Sequence, residues 1–250
     1  MSFNTVWTIT RKELKIYFSS PLFYVMTALF VLFTGFIFAL NVVQSQSLSL
    51  ATTSFITQYI MVLFAPLITM RLLSEEKQTG TIELMLTGPV RDVELILGKY
   101  LAALVMFAVM LSTTLIQVVI SLFTLTDKHQ FLFLSIGNPD WATIAVGYLG
   151  SFLIIAGFLA IGMFTSSVTQ SQIIAAVVGI VVLTVLTVID FAGSIAQPPI
   201  SDLLTQLGPR THDANFTKGT LGLFDVVYTL SLIGVPLYLS VVALGARKWH

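Results

Sequence analysis

The chain has no cysteine. Disulfides and thiolate metal sites are therefore excluded, although this says little about compartment. Charge is also scarce. Only 10% of the 250 residues are Asp, Glu, Lys or Arg, where soluble domains carry roughly 25%. The 12 basic and 12 acidic residues cancel, so nothing points to nucleic acid. The ten-residue alternating segments of membrane β-barrels are missing. His129, His212 and His250 are too scattered for a metal site at ordinary ligand spacing. No nucleotide-binding loop is present either. A P-loop needs G-x-x-x-x-G-K-[ST], so that backbone amides cradle the phosphates. The nearest fragment, Leu97-Gly98-Lys99-Tyr100, has Tyr after Lys and Val93 where the first Gly should stand. Ser166 and Ser167 have no neighbouring His or acid to act as a base. No active site is expected in this chain.

What is abundant is apolar sequence. Hydrophobic residues make up 56% of the chain, and mean hydropathy is +0.94. Continuous apolar runs of about 20 residues recur, the length of a helix that crosses a bilayer core. The expected fold is all-α: a single polytopic membrane domain over 1–250. Its six spans fall near 22–43, 55–73, 99–125, 143–165, 172–189 and 226–245. The first run follows Arg11, Lys12 and Lys15 as in a signal peptide. It is too long for one and lacks a small-x-small cleavage site, so it reads as a span. Alternating the connections between two sides puts nine Lys and Arg on one side and three on the other. The positive-inside rule then makes both termini and the 71–99 loop cytoplasmic.

Two further segments stand outside the spans. Residues 1–20 place Phe3, Val6, Trp7, Leu14, Tyr17 and Phe18 at helical spacing, which predicts an amphipathic interfacial helix. Ser20-Pro21 ends it and starts the first span. The 190–225 segment, outside the membrane on the far side, has apolar residues at Ile200, Leu203, Leu204 and Leu207. This spacing predicts a short helix capping the bundle or dipping into it. His212-Asp213 reads as an orienting pair or a plain loop hydrogen bond. Small residues at four-residue spacing, Gly147/Ser151, Ala156/Ala160 and Ala175/Gly179, should let spans four and five pack closely. Polar residues inside spans are few. Gln58, Thr113 and Gln117 are candidates to line a pathway, with helix–helix hydrogen bonding the plainer role. Membrane centres carry no charge, which argues against an ion-coupled carrier.

Charge is concentrated between Arg71 and Tyr100, which hold nine of the 24 charged residues. Ile82, Met85 and Leu86 form a small apolar stripe, with Gly80 before it and Gly88-Pro89 after it. Val93, Ile96, Leu97, Tyr100 and Leu101 then start a face that runs into the third span. A stripe this short needs a membrane surface or a protein groove. Four basic residues beside five acidic ones fit an apolar centre with a polar rim, as at a protein interface, better than a lipid-binding basic cluster.

The same stretch, SEEKQTGTIELMLTGPVRDVELILGKYLA, resembles ABC-transporter permeases of the type-two, export class. It is similar to the gliding-motility and nitrous-oxide-reductase-maturation subfamilies. The matching parts are Glu75-Glu76, Gly80-Thr81-Ile82-Glu83-Leu84, Pro89 and Gly98-Lys99. GMFTSSVTQSQIIAA at 162–176 and the segment from Phe216 to Tyr228 extend the resemblance over most of the chain. Gly88 stands where many relatives carry Ser. The resemblance implies that 74–98 is a coupling segment docked on a separate ATP-binding subunit. Glu75, Glu76, Lys77, Thr79, Gly80, Thr81, Ile82, Glu83, Leu84, Met85, Leu86 and Pro89 would carry that contact. Ser166, Ser167, Thr169 and Gln170 would form a second, smaller one. The implied partners are a dimer of ABC ATP-binding subunits, a second permease copy, the lipid bilayer and an extracytoplasmic or accessory membrane protein. ATP and magnesium would sit in the partner, with no cofactor in this chain. A bacterial inner-membrane exporter is the expectation. Transmission of ATP-driven motion to an outer partner, and a motor-free scaffold, are the alternatives.

Overall fold

The structure is a computed structural model that describes residues 3–45, 50–81, 90–126, 141–197 and 199–246. Among these every regular element is a helix. They are α1 Phe3–Ser19, α2 Pro21–Ser45, α3 Leu50–Gln78, α4 Asp92–Thr126, α5 Trp141–Val168, α6 Gln172–Ile195, α7 Ile200–Leu207, α8 Pro209–Thr217 and α9 Leu223–Gly245. Six of them, α2 to α6 and α9, are long and apolar enough to cross a membrane. The six expected spans are all present, most of them longer at both ends than the apolar runs suggest. Helical hydrogen bonding satisfies the backbone beyond the bilayer as well as inside it.

The centre of the bundle is α5. It packs on α3 along one side and on α9 along another. Its glycines are the reason, and the expected close packing of spans four and five is present too, at Gly179 of α6, where a Cβ would lie 3.1 Å from Thr165 Oγ1 of α5. A Cβ on Gly157 would lie 2.5 Å from Leu232 of α9. A Cβ on Gly162 would collide with Thr69 of α3, and one on Gly150 with the Phe216 ring of α8. Close approach of backbone to side chain replaces the hydrophobic drive that lipid cannot supply. Phe30, Phe107, Phe158, Met61 and Met106 fill the interior, each nearly fully buried. By contrast α2, α6 and α9 bury only a minor part of their surface and expose apolar faces such as Val177, Val181 and Val185.

Helix α3 continues through Pro66. A Cβ on Gly179 of α6 would lie 2.9 Å from the Pro66 ring, so α6 seats against it. The 190–225 segment holds more helix than a loop. After α6 runs on to Ile195, α7 and α8 fold back at the bundle end opposite α1, with α8 wedged onto α5 by the fully buried Phe216.

Candidate functional site: a buried charge knot beneath the charged segment

Helix α1 lies against the start of α4. Its buried residues are Val6, Thr10 and Glu13, a mostly polar seam. Phe3 and Trp7 are exposed instead, at 77% and 54%. The face expected for the membrane surface is therefore divided: Phe3, Trp7 and Phe18 are exposed, while Val6, Leu14 and Tyr17 pack against the protein. Gly98 explains the close fit: a Cβ there would lie 2.8 Å from the Ile9 side chain and 3.1 Å from the Val6 carbonyl. Through this gap the Thr10 hydroxyl donates to the Gly98 carbonyl at 2.9 Å. Farther along α1, the Tyr17 hydroxyl donates to the Ile68 carbonyl of α3 at 2.7 Å. Burial, then the nearby Glu13 carboxylate, hold this phenol well above its ordinary range, so it stays a donor.

At the centre of the seam is Lys99, 1% exposed. Its Nζ lies 2.8 Å from Glu13 Oε1 of α1 and 2.8 Å from Glu76 Oε1 of α3. Lys12 Nζ stands 4.0 Å from the same Glu76 oxygen. One ammonium thus joins three helices. A buried ammonium is tolerated only when paired and hydrogen-bonded, and here two carboxylates supply both. Glu76 Oε2 has no hydrogen-bond partner, so one acceptor of the knot is unused. A cleft of about 460 Å³ opens beside it, lined by Lys12, Glu13, Tyr17, Arg71, Glu75, Glu76 and Lys99 among others.

The remaining charged residues continue this framework. Arg71 Nε lies 2.8 Å from Glu75 Oε2, one helical turn on. Thr79 caps the exit from α3 through the Glu75 carbonyl at 2.9 Å, and Gly80 takes a left-handed φ of 72° that ends the helix. Thr81 Oγ1 lies 2.9 Å from Thr79 Oγ1. Glu94 begins α4 by accepting from the Arg91 amide at 3.3 Å, half of a capping box. Ile82, Glu83, Leu84, Met85, Leu86 and Pro89 lie outside the described residues. The face expected to run from Val93 into α4 is rotated. Val93 and Leu101 are exposed, while Glu94, Leu95, Ile96, Lys99 and Tyr100 are buried.

The second expected contact is tied into the same end. Ser166 of α5 donates to the Met70 carbonyl at 3.0 Å and accepts from the Leu73 and Ser74 amides at 3.2 and 3.1 Å. Lys77 Nζ donates to the Ser167 carbonyl. Ser166 and Ser167 are fully buried. Gln170 is exposed and Thr169 half-buried, so these two form the accessible part of the turn.

The three candidate pathway residues do not converge. Gln117 donates to Thr34 Oγ1 at 3.2 Å and so joins α4 to α2. Thr113 bonds its own helix at Met110 O, 2.6 Å away. Gln58 is buried at the far end of α3 near α8. The expected His212-Asp213 pair does not form either. His212 Nδ1 lies 2.6 Å from Asp225 Oδ1 of α9, and its ring stacks on Tyr228 with centroids 3.9 Å apart. Neighbours in sequence on a helix point about 100° apart, so His212 and Asp213 face different elements.

The sequence singles out Glu76 as a contact residue and marks Lys99 as part of the Gly98-Lys99 motif, without pairing the two. Glu13 is not singled out. The available signal was an acidic residue within an otherwise basic N-terminal helix, i+3 from Thr10.

Among curated proteins, none matches the chain. Residues 7–249 match the ABC-2 family transporter protein family. That match spans most of α1, all six membrane helices and the charge knot. The chain therefore belongs to the ABC-2 transporter family, as a multi-pass membrane permease subunit of an ABC transporter.

Proposed function

We propose that this permease is moved by a separate ATP-binding subunit docked on residues 74–99, and that the complex works as an exporter in a bacterial inner membrane. In this reading the α1 end, with both termini, faces the cytoplasm. Two permeases sit over two ATPases, which hold ATP and magnesium. The charged motif is similar to that of the gliding-motility and nitrous-oxide-reductase-maturation subfamilies. The Lys99 knot carries the proposal. It lies at the base of the charged segment and bonds α1, α3 and α4 together. A push on the segment would then be passed to two spans and the interfacial helix as one body, because buried ion pairs resist separation.

The chain is free of cysteine, so a single introduced thiol reports on one place. Thr79→Cys and Glu83→Cys, each carrying a short photocrosslinker, should capture a P-loop ATPase when the tagged permease is isolated from native membranes. If an ATPase co-purifies but neither position crosslinks to it, the docking site is elsewhere. If no ATPase accompanies the chain after mild crosslinking, the motor assignment fails and the scaffold reading replaces it.

A second reading has ATP-driven motion passed to an extracytoplasmic partner. One observation favours it: α7 exposes Ile200, Leu203 and Leu207, at 60%, 63% and 54%, at the end farthest from the knot. Crosslinking from Leu203→Cys to a non-lipid partner would support that reading, and labelling by lipid alone would remove it.

A further inference from the structure

The end of the bundle opposite α1 gathers several ionisable groups that differ in how far hydrogen bonds account for them. Asp190, at the end of α6, accepts through Oδ2 from the Arg210 amide at 3.1 Å, while its Oδ1 has no hydrogen-bond partner. It thereby caps α8 from outside. The N-cap residue, Gly208, has no side chain, and a Cβ there would collide with the Asp190 carboxylate. Asp225 of α9 is held by His212 at 2.6 Å and by the Asn215 amide at 3.1 Å to each oxygen. The His212 Nε2 reaches the Gln206 carbonyl at 3.1 Å.

Asp213 is the most buried of these carboxyl groups. It lies on α8 and is 3% exposed. Its Oδ1 has no hydrogen-bond partner. The facing polar group is Gln58 of α3, also 3% exposed, whose Nε2 has no partner either. Among the described residues no ion pair compensates the carboxyl. Helix α3 carries no charged residue between Leu50 and Met70, and α5 carries none at all. The charges on the other neighbours are Asp190 on α6, Asp202 on α7 and Asp225 on α9. On α8 itself Arg210 and His212 flank Asp213, and His212 is turned to Asp225. Burial pushes the Asp213 carboxyl up to about 7, with the Gln58 amide drawing it part of the way back. An ordinary Asp titrates near 3.8.

We propose that Asp213 is a proton-binding site that latches α8 to the outer end of α3: the protonated carboxyl keeps α8 seated against α3 and α5, and loss of the proton unseats it. The sign follows from linkage. The seated form binds the proton more tightly than a released form with an ordinary carboxyl. Release is therefore least favoured at acid pH. It grows by up to about tenfold per pH unit between the ordinary carboxyl value and about 7, and is constant above that. The latch acts on α3, the span that carries Glu76 near its other end. A proton at one end of α3 and the charge knot at the other thus bear on one helix. The proton site does not depend on which subunit drives the knot.

The test uses the full chain in lipid nanodiscs, spin-labelled at Tyr59→Cys of α3 and Thr211→Cys of α8, both exposed. Distance distributions are measured by pulsed electron spin resonance from about pH 5 to about pH 8. The expected result is one short distance at acid pH, a second longer population that grows up to about pH 7, and no change beyond. Asp213→Asn, neutral and of the same shape, should hold the acid distance at every pH. Asp213→Glu should retain a pH response, displaced on the pH axis. pH-difference infrared spectra of the parent chain should show a protonated-carboxyl band titrating near 7. The proposal is overturned if the distance is independent of pH, or if the response survives in Asp213→Asn. It is equally overturned if the infrared band is missing, a readout that needs no variant to fold.

Discussion

Lys99 is among the largest side chains to be fully buried in the described structure, and its surroundings determine what its removal would do. Lys99→Met keeps the volume but leaves Glu13 without its cation and Glu76 with only the half-exposed Lys12 at 4.0 Å. Breaking a buried pair by removing one partner costs about 3–5 kcal/mol, and here two carboxylates lose the buried ammonium. We expect Lys99→Met to lower the unfolding free energy of the detergent-solubilised permease by that order. A triple variant with Glu13→Gln and Glu76→Gln should recover most of the loss. A Lys99→Met protein as stable as the parent would show the ammonium to be dispensable. Ser166 is a second residue of this kind. Its hydroxyl serves one carbonyl and two amides of α3. Ser166→Ala should cost about 1–3 kcal/mol for the unmet backbone groups, read in the same unfolding experiment.

At the scale of elements, helix-to-helix fit depends on where side chains are absent. Gly98→Val would drive two methyl groups into Ile9 and the Val6 carbonyl, where even a Cβ lies at 2.8 and 3.1 Å. Helix α1 should then lift from α4 while the spans remain. Hydrogen exchange localised to 3–19 would rise sharply in Gly98→Val and stay near the parent level elsewhere. Unchanged protection over α1 would mean that its docking does not depend on this contact. Helix types and approximate limits were legible in the sequence, because apolar runs of spanning length and Ser20-Pro21 are local signals. Which face each helix buries was less so. In α1 the apolar face expected from the spacing is split: Phe3, Trp7 and Phe18 stay exposed, whereas Val6 joins Thr10 and Glu13 on the protein-facing side. In lipid, apolarity does not mark the buried face of a helix; polar pairing and small size do.

For the whole molecule, α5 is the axis and α2, α6 and α9 are the rim. An apolar photolabel dissolved in the bilayer should therefore modify α6 at Val177, Val181 and Val185 and leave Ile154 and Phe158 of α5 unlabelled. Labelling of α5 would contradict the packing order. Any stretch of the α2 or α9 face that stays unlabelled in the assembled complex would mark where a second copy sits.

The sequence by itself determined the class of this protein. Scarce charge and long apolar runs leave a polytopic helical membrane protein as the stable solution, since only internally bonded backbone survives in lipid. The local motif around Glu75-Glu76 and Gly98-Lys99 pointed to the permease family that the match over residues 7–249 then showed. What only the tertiary structure decided is which charges meet. Glu13, Glu76 and Lys99 are far apart in the chain, and so are Gln58 and Asp213. Hydrophobic pattern specifies that a helix is buried but not its rotation or its neighbours. Those follow from where glycine lets backbones approach and where a buried charge must find its partner.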